Sequence, residues 1–113
     1  RTAAGGVLLE RRPPVGIWGG LWSFPECPLE ANVADWCQQR LDLTVVVDRA
    51  WGTLRHSFSH FHLDIIPVLA TVLEPGRVVM EGGRFVWYNF RHSDDCGVSA
   101  PVKRLLAALA SEL

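Results

Sequence analysis

Ten consecutive residues, Arg55-His56-Ser57-Phe58-Ser59-His60-Phe61-His62-Leu63-Asp64, concentrate more hydrogen-bonding chemistry than any other part of the chain. They bring three imidazoles and two hydroxyls around aromatic rings, flanked by a guanidinium and a carboxylate. A hydroxyl both donates and accepts, an imidazole does either according to its protonation, and an aromatic face offers area without a hydrogen-bond code. That combination suits contact with a flat, polar ligand. A metal reading of His60 and His62, which share a strand face with Asp64, lacks a third ligand in obvious reach. Each residue also has a plain structural alternative. Phe58 could be core, Ser59 could satisfy only the backbone of a turn, and His56 could simply pack.

Such a tip needs a scaffold, and the run supplies its own start. From Phe61 the apolar and polar residues alternate, with Phe61, Leu63 and Ile65 on one face and His60, His62 and Asp64 on the other, the pattern of a half-buried strand. Phe61 to Leu73 is expected as the longest strand, bulged at Pro67. Upstream, residues 6–12 read as a first strand stopped by Pro13-Pro14, and Leu21-Trp22-Ser23-Phe24 as a second closed by Pro25. Between them, Val15-Gly16-Ile17-Trp18-Gly19-Gly20 is a glycine-rich connection. No Lys-Ser/Thr follows it, so tight turning is favoured over phosphate binding. Residues 30–41 change to helical spacing, with Val33, Trp36, Cys37 and Leu41 on one face. Residues 44–47 and 50–54 are β-rich, and further strand content is expected at 78–80, after the turn at 74–76, and at 85–88 beyond the turn at 81–83. A polar loop through 92–95 leads to a last helix capped by Ser99, whose stripe is Val102, Leu105, Leu106 and Leu109. The five tryptophans read mainly as core, with room for one platform residue among them.

Composition bounds the function. At 113 residues with 49% hydrophobic content, the chain is sized for one core and one domain, and a start on Arg1 rather than Met leads to the expectation of a piece of a longer protein. No apolar run is long enough for a bilayer, and no signal peptide is visible. Three cysteines without a Cys-x-x-Cys spacing fit free thiols in a reducing cytoplasm. A net charge of −1 argues against tight, sequence-independent binding of nucleic acid by this segment alone. Strands mixed with two helices point to an α/β or α+β sandwich. A weak match to a sliding-clamp peptide at Gln38-x-x-Leu41-x-Leu43 has Thr44 where the final Phe is required.

One region carries a family resemblance. Gly20, then Glu26, then Ala34-Asp35-Trp36-Cys37-Gln38-Gln39-Arg40-Leu41 has the spacing of the Nudix box. In that family paired glutamates hold magnesium at a pyrophosphate, and here those positions are Gln38 and Gln39. A hard divalent cation needs clustered anionic oxygens, which neutral amides do not supply and which Asp35 with Glu26 supplies thinly. The chain therefore resembles a Nudix fold, a mixed sheet sandwiched by two helices, that has lost its hydrolytic chemistry.

Three blocks are similar to the C-terminal domain of MutY-type adenine DNA glycosylases: residues 8–25, residues 54–63, and Trp87-Tyr88-Asn89 with residues 97–102. That resemblance implies a domain reading 8-oxoguanine opposite adenine in double-stranded DNA, in base excision repair. The iron-sulfur cluster and catalytic acid of such enzymes belong to a separate N-terminal domain, the expected partner, so no cofactor and no catalytic residue is expected here. It assigns the lesion contact to Ser59; on chemical grounds Phe58 is expected to pack on a base or sugar and His60 to donate to phosphate or lesion, with Arg55 and His56 as weaker candidates for backbone contact. Oxidation at C8 turns a ring nitrogen from acceptor to donor, and a serine oxygen can accept from it. The alternatives are an active Nudix pyrophosphatase and a protein-interaction module.

Overall fold

The computed structural model describes residues 1–2, 5–75, 84–88 and 97–112. In chain order the elements are β1 (Val7–Arg11), β2 (Trp22–Ser23), α1 (Val33–Leu41), β3 (Leu43–Ala50), β4 (Leu54–Ser57), β5 (His62–Ile65), β6 (Val68–Pro75), β7 (Phe85–Tyr88) and α2 (Ala100–Ser111). Expected features at 76, 78–83 and 89–96, including Asn89 and Cys96, lie outside the described residues.

β1 is the central plank. It pairs antiparallel with β2 on one side and with β7 on the other. Alternation along it then sends side chains to two different cores. Val7 and Leu9 join Leu69 and the α2 residues Val102, Leu106 and Leu109. Leu8, facing the other way, joins Leu41 of α1, Leu43 and Val72, with Trp36, Cys37 and Trp87 packed alongside. The two helices therefore lie on opposite faces of β1, as the α+β sandwich requires. Leu9 is fully buried, at 0% exposure. Cys27 and Cys37 are free, half-buried thiols, and burial, followed by the neighbouring Cys27, raises the Cys37 thiol above its ordinary range.

α1 starts three residues later than its periodicity suggests. Asn32 is the N-cap, its Oδ1 accepting from the Asp35 N–H at 3.1 Å, and Pro28 and Ala31 are tied in a turn before it. At its far end Asp42 takes the left-handed conformation at φ +53°, closing the helix onto β3. Ser99 precedes α2 in extended geometry, as expected of a cap. Its hydroxyl makes no capping bond, however, and is buried without a partner among the described residues.

The expected strand over 61–73 is two strands. β5 pairs with β4, whereas β6 pairs with β3, and the break falls at Ile66-Pro67. Proline has no N–H to continue a ladder, and here its carbonyl instead accepts from Trp51 N at 2.9 Å. Irregularity in register falls in β3, between Thr44 and Val45 and between Val47 and Arg49, rather than at Pro67. The consequence is a separate two-stranded hairpin, β4–β5, set off from the other sheets.

Candidate functional site

The hairpin carries the polar run. Its register pairs Leu54 with Ile65, Arg55 with Asp64, His56 with Leu63 and Ser57 with His62. Phe58 N–H then donates to the Phe61 carbonyl at 2.8 Å, leaving Ser59 and His60 as a two-residue loop. Both are exposed. Neither makes a side-chain hydrogen bond to any described residue. The Ser59 hydroxyl is thus available to a ligand as donor or acceptor.

Alternation divides the hairpin into two chemically different faces. On the half-buried face, Phe58 is surrounded by rings. It stacks on Phe61 at 4.5 Å, meets His56 edge to face at 4.7 Å, and touches Trp18 at 5.3 Å. Trp18 also meets His56 edge to face at 5.4 Å. These separations are those at which aromatic pairs attract beyond simple area burial. The Phe58 ring is consequently held in place directly beneath the loop.

On the exposed face, Arg55 grips Asp64 through two bonds, Nε to Oδ1 at 2.7 Å and an Nη nitrogen to Oδ2 at 3.0 Å. The bond from Arg55 holds the Asp64 carboxyl below its ordinary range, and the same bond raises the guanidinium. Beside them Ser57 Oγ and His62 Nδ1 share a hydrogen bond of 2.8 Å. Arg55 is therefore engaged within the protein, and His56 packs inward rather than facing outward. The expected shared strand face of His60, His62 and Asp64 holds for His62 and Asp64 only, because His60 lies in the two-residue loop before β5. Among the described residues, no three His, Cys, Asp or Glu side chains gather as a metal site.

Of the residues at Nudix-box positions, Gly20 and Glu26 precede α1, whereas Asp35, Gln38 and Gln39 lie on it. Gly20 sits at φ +76°, the left-handed conformation that glycine adopts without strain. Glu26 is paired with Arg12, whose Nε also bonds the Ile17 carbonyl at 3.0 Å. Asp35, Gln38 and Gln39 are exposed on α1, and Gln38 accepts from Thr44 Oγ1 at 3.1 Å. A nearby cavity of about 410 Å³ has mainly apolar walls, including Val33, Trp36, Leu41 and Leu43, and its carboxylates Glu26 and Asp64 are both paired with arginines. This donor set does not fit a magnesium ion bridging phosphates.

The sequence reads Trp18 only as one of five tryptophans that are mainly core with one platform residue among them, and it gives Arg55 no partner. The second omission was avoidable, since a two-residue loop at Ser59-His60 brings Arg55 opposite Asp64. The first was not, because the contact joins residues distant in sequence through an unusual loop conformation.

A family model described as NUDIX domain matches residues 1–108. Among curated proteins, the chain is similar to the adenine DNA glycosylase of Buchnera aphidicola subsp. Baizongia pistaciae, 22% identical over 103 residues, covering 91% of this chain and 29% of that protein. It is also similar to the adenine DNA glycosylase of Buchnera aphidicola subsp. Schizaphis graminum, 25% identical over 101 residues, covering 87% of this chain and 28% of that protein. The chain spans less than a third of the length of these relatives. No described helix is long and apolar enough to cross a membrane.

Proposed function

The chain belongs to the NUDIX domain family, and from that premise we propose that it serves as the damage-reading, C-terminal domain of a cytoplasmic MutY-type adenine DNA glycosylase. Its substrate surface is double-stranded DNA carrying 8-oxoguanine opposite adenine. Adenine removal belongs to a catalytic domain elsewhere in the longer protein, which also holds the iron-sulfur cluster.

The observation that carries this reading is the Ser59-His60 loop, with an exposed hydroxyl that has no partner among the described residues, next to a Phe58 ring in contact with three others. Ser59 accepts from the nitrogen that bears a proton only in the oxidised purine. Phe58 supplies a preset apolar contact, and His60, beside Ser59 on the loop, donates to phosphate or lesion. Arg55, held by Asp64, contributes less to backbone contact than its charge alone suggests. His56 acts from within by supporting Phe58.

The test is adenine excision by the full-length protein opposite 8-oxoguanine and opposite guanine. Ser59→Ala narrows the ratio of the two rates, by up to about tenfold for one hydrogen bond worth roughly 0.5–1.5 kcal/mol. An unchanged ratio overturns the assignment of Ser59.

A further inference from the structure

We infer that Trp18 is a positioning residue for lesion discrimination: its ring, presented by the loop between β1 and β2, sets Phe58 and His56 and thereby fixes the angle at which Ser59-His60 meets its ligand. This rests on the reading of Ser59 given above.

The first support is the hairpin's isolation. Among the described residues β4 and β5 pair only with each other, in one ladder of four residue pairs. A lone two-stranded hairpin is marginal in water and needs packing from outside to hold one geometry. Trp18 supplies such packing from a distant part of the chain, touching both Phe58 and His56.

The second support is the conformation of Trp18 itself. It stands at φ +53°, in the left-handed region that a bulky L-residue rarely occupies. Such strain persists when the surroundings over-determine it. Here Gly20 N bonds the Pro13 carbonyl at 3.0 Å, Leu21 N bonds the Trp18 carbonyl at 3.0 Å, and Gly19 N bonds the Gly16 carbonyl at 3.3 Å. Arg12 adds its bond to the Ile17 carbonyl. A Cβ at Gly19 would lie 2.5 Å from the Pro14 carbonyl oxygen, so that close turn requires glycine. Together these contacts hold the backbone of the loop that presents the indole.

The experiment measures the ratio of adenine excision opposite 8-oxoguanine and opposite guanine in the full-length protein, with Trp18→Ala, Trp18→Leu, Trp18→Phe and Ser59→Ala. Loss of the ring contacts should narrow the ratio roughly two- to tenfold in Trp18→Ala and Trp18→Leu. Trp18→Phe, which keeps an aromatic face, should restore most of it. Leucine preserves apolar bulk, so Trp18→Leu carries the test if the alanine variant does not fold. Combining Trp18→Leu with Ser59→Ala should narrow the ratio little further than Ser59→Ala alone, because the indole acts through the loop. A ratio retained in Trp18→Leu, or rates falling equally opposite both bases, overturns the inference while leaving Ser59 intact as reader. A ratio unchanged in Ser59→Ala overturns the reading on which it rests.

Discussion

Phe61 lies against Phe58 with ring centroids 4.5 Å apart and planes 23° from parallel, bridging the neck of the hairpin just below its two-residue loop. The outer ring of this pair is 44% exposed. It therefore adds little to the main cores, and its contribution is concentrated in the stack. Phe61→Ala is expected to cost about 1–2 kcal/mol, below the value for a fully buried phenylalanine, because part of the ring already faces water. Denaturant unfolding measures the loss, and Phe61→Tyr, which keeps the stack and sends its hydroxyl toward solvent, should remain close to the parent. Equal stability of the alanine variant would show that the neck is closed by backbone alone.

Arg55 and Asp64 neutralise one another on the hairpin's exposed face. Asp64→Asn removes the partner's charge and leaves a cation beside the proposed DNA-reading loop. Binding of the full-length protein to duplex DNA should strengthen at low salt, with the slope of affinity against salt steeper by about one counterion. An unaltered slope would mean that Arg55 does not reach a phosphate even when released.

The same pair fixes a pH dependence. Asp64 has its carboxyl lowered in the folded protein, chiefly by the bond from Arg55, so its pairing contributes above the ordinary carboxylate range and is lost as pH falls through the lowered value. The guanidinium, pushed upward, stays charged across that window. Titration of the Asp64 carboxyl by NMR should give a midpoint below that of an unpaired aspartate. In Arg55→Ala the midpoint should move upward, and an unmoved midpoint would remove the bond as its cause.

Ser99 tests what a residue type contributes once its geometry is known. An N-cap serine that bonds the helix costs about 0.5–2 kcal/mol when changed to alanine. This hydroxyl is buried without a partner among the described residues, so removing it relieves an unsatisfied group. Ser99→Ala is therefore expected to be neutral or stabilising by up to about 1 kcal/mol, read from the unfolding midpoint. A loss in the ordinary capping range would mean that the hydroxyl is bonded in solution.

These residues also show where the sequence was informative. Alternation in 61–65 and the stripes Val33-Trp36-Cys37-Leu41 and Val102-Leu105-Leu106-Leu109 follow periods of 2 and 3.6 that burial imposes directly, and they placed strand β5 and both helices, though not the pairing of β5 with β4. The exposed Ser59-His60 loop was legible for the same reason. Partner choice was not. Periodicity in 61–73 looks continuous, yet the chain changes partners at Pro67, a long-range decision made by which ladders can form on either side. Ser99 has the type and extended backbone of a cap, while its side-chain direction is set by packing. Trp18 meets the hairpin from a loop closed by three backbone bonds and a tight turn at Gly19, a long-range contact that periodicity does not encode.

The family's hydrolytic reaction supplies the sharpest contrast with the proposed role. A metal-bridged pyrophosphate would require carboxylates converging from α1 and from the segment before it. Instead Gln38 and Gln39 are neutral, Gln38 is engaged with Thr44, and Glu26 is held by Arg12. With magnesium and nucleoside triphosphates or dinucleotides, the protein is expected to release neither phosphate nor pyrophosphate above background. Arg12→Ala, which frees Glu26, should leave that result unchanged, because one released carboxylate with Asp35 still leaves two amides at the positions where the family places its paired ligands. Magnesium-dependent turnover by the parent protein, abolished by Glu26→Gln, would reverse the assignment and make the box a working site.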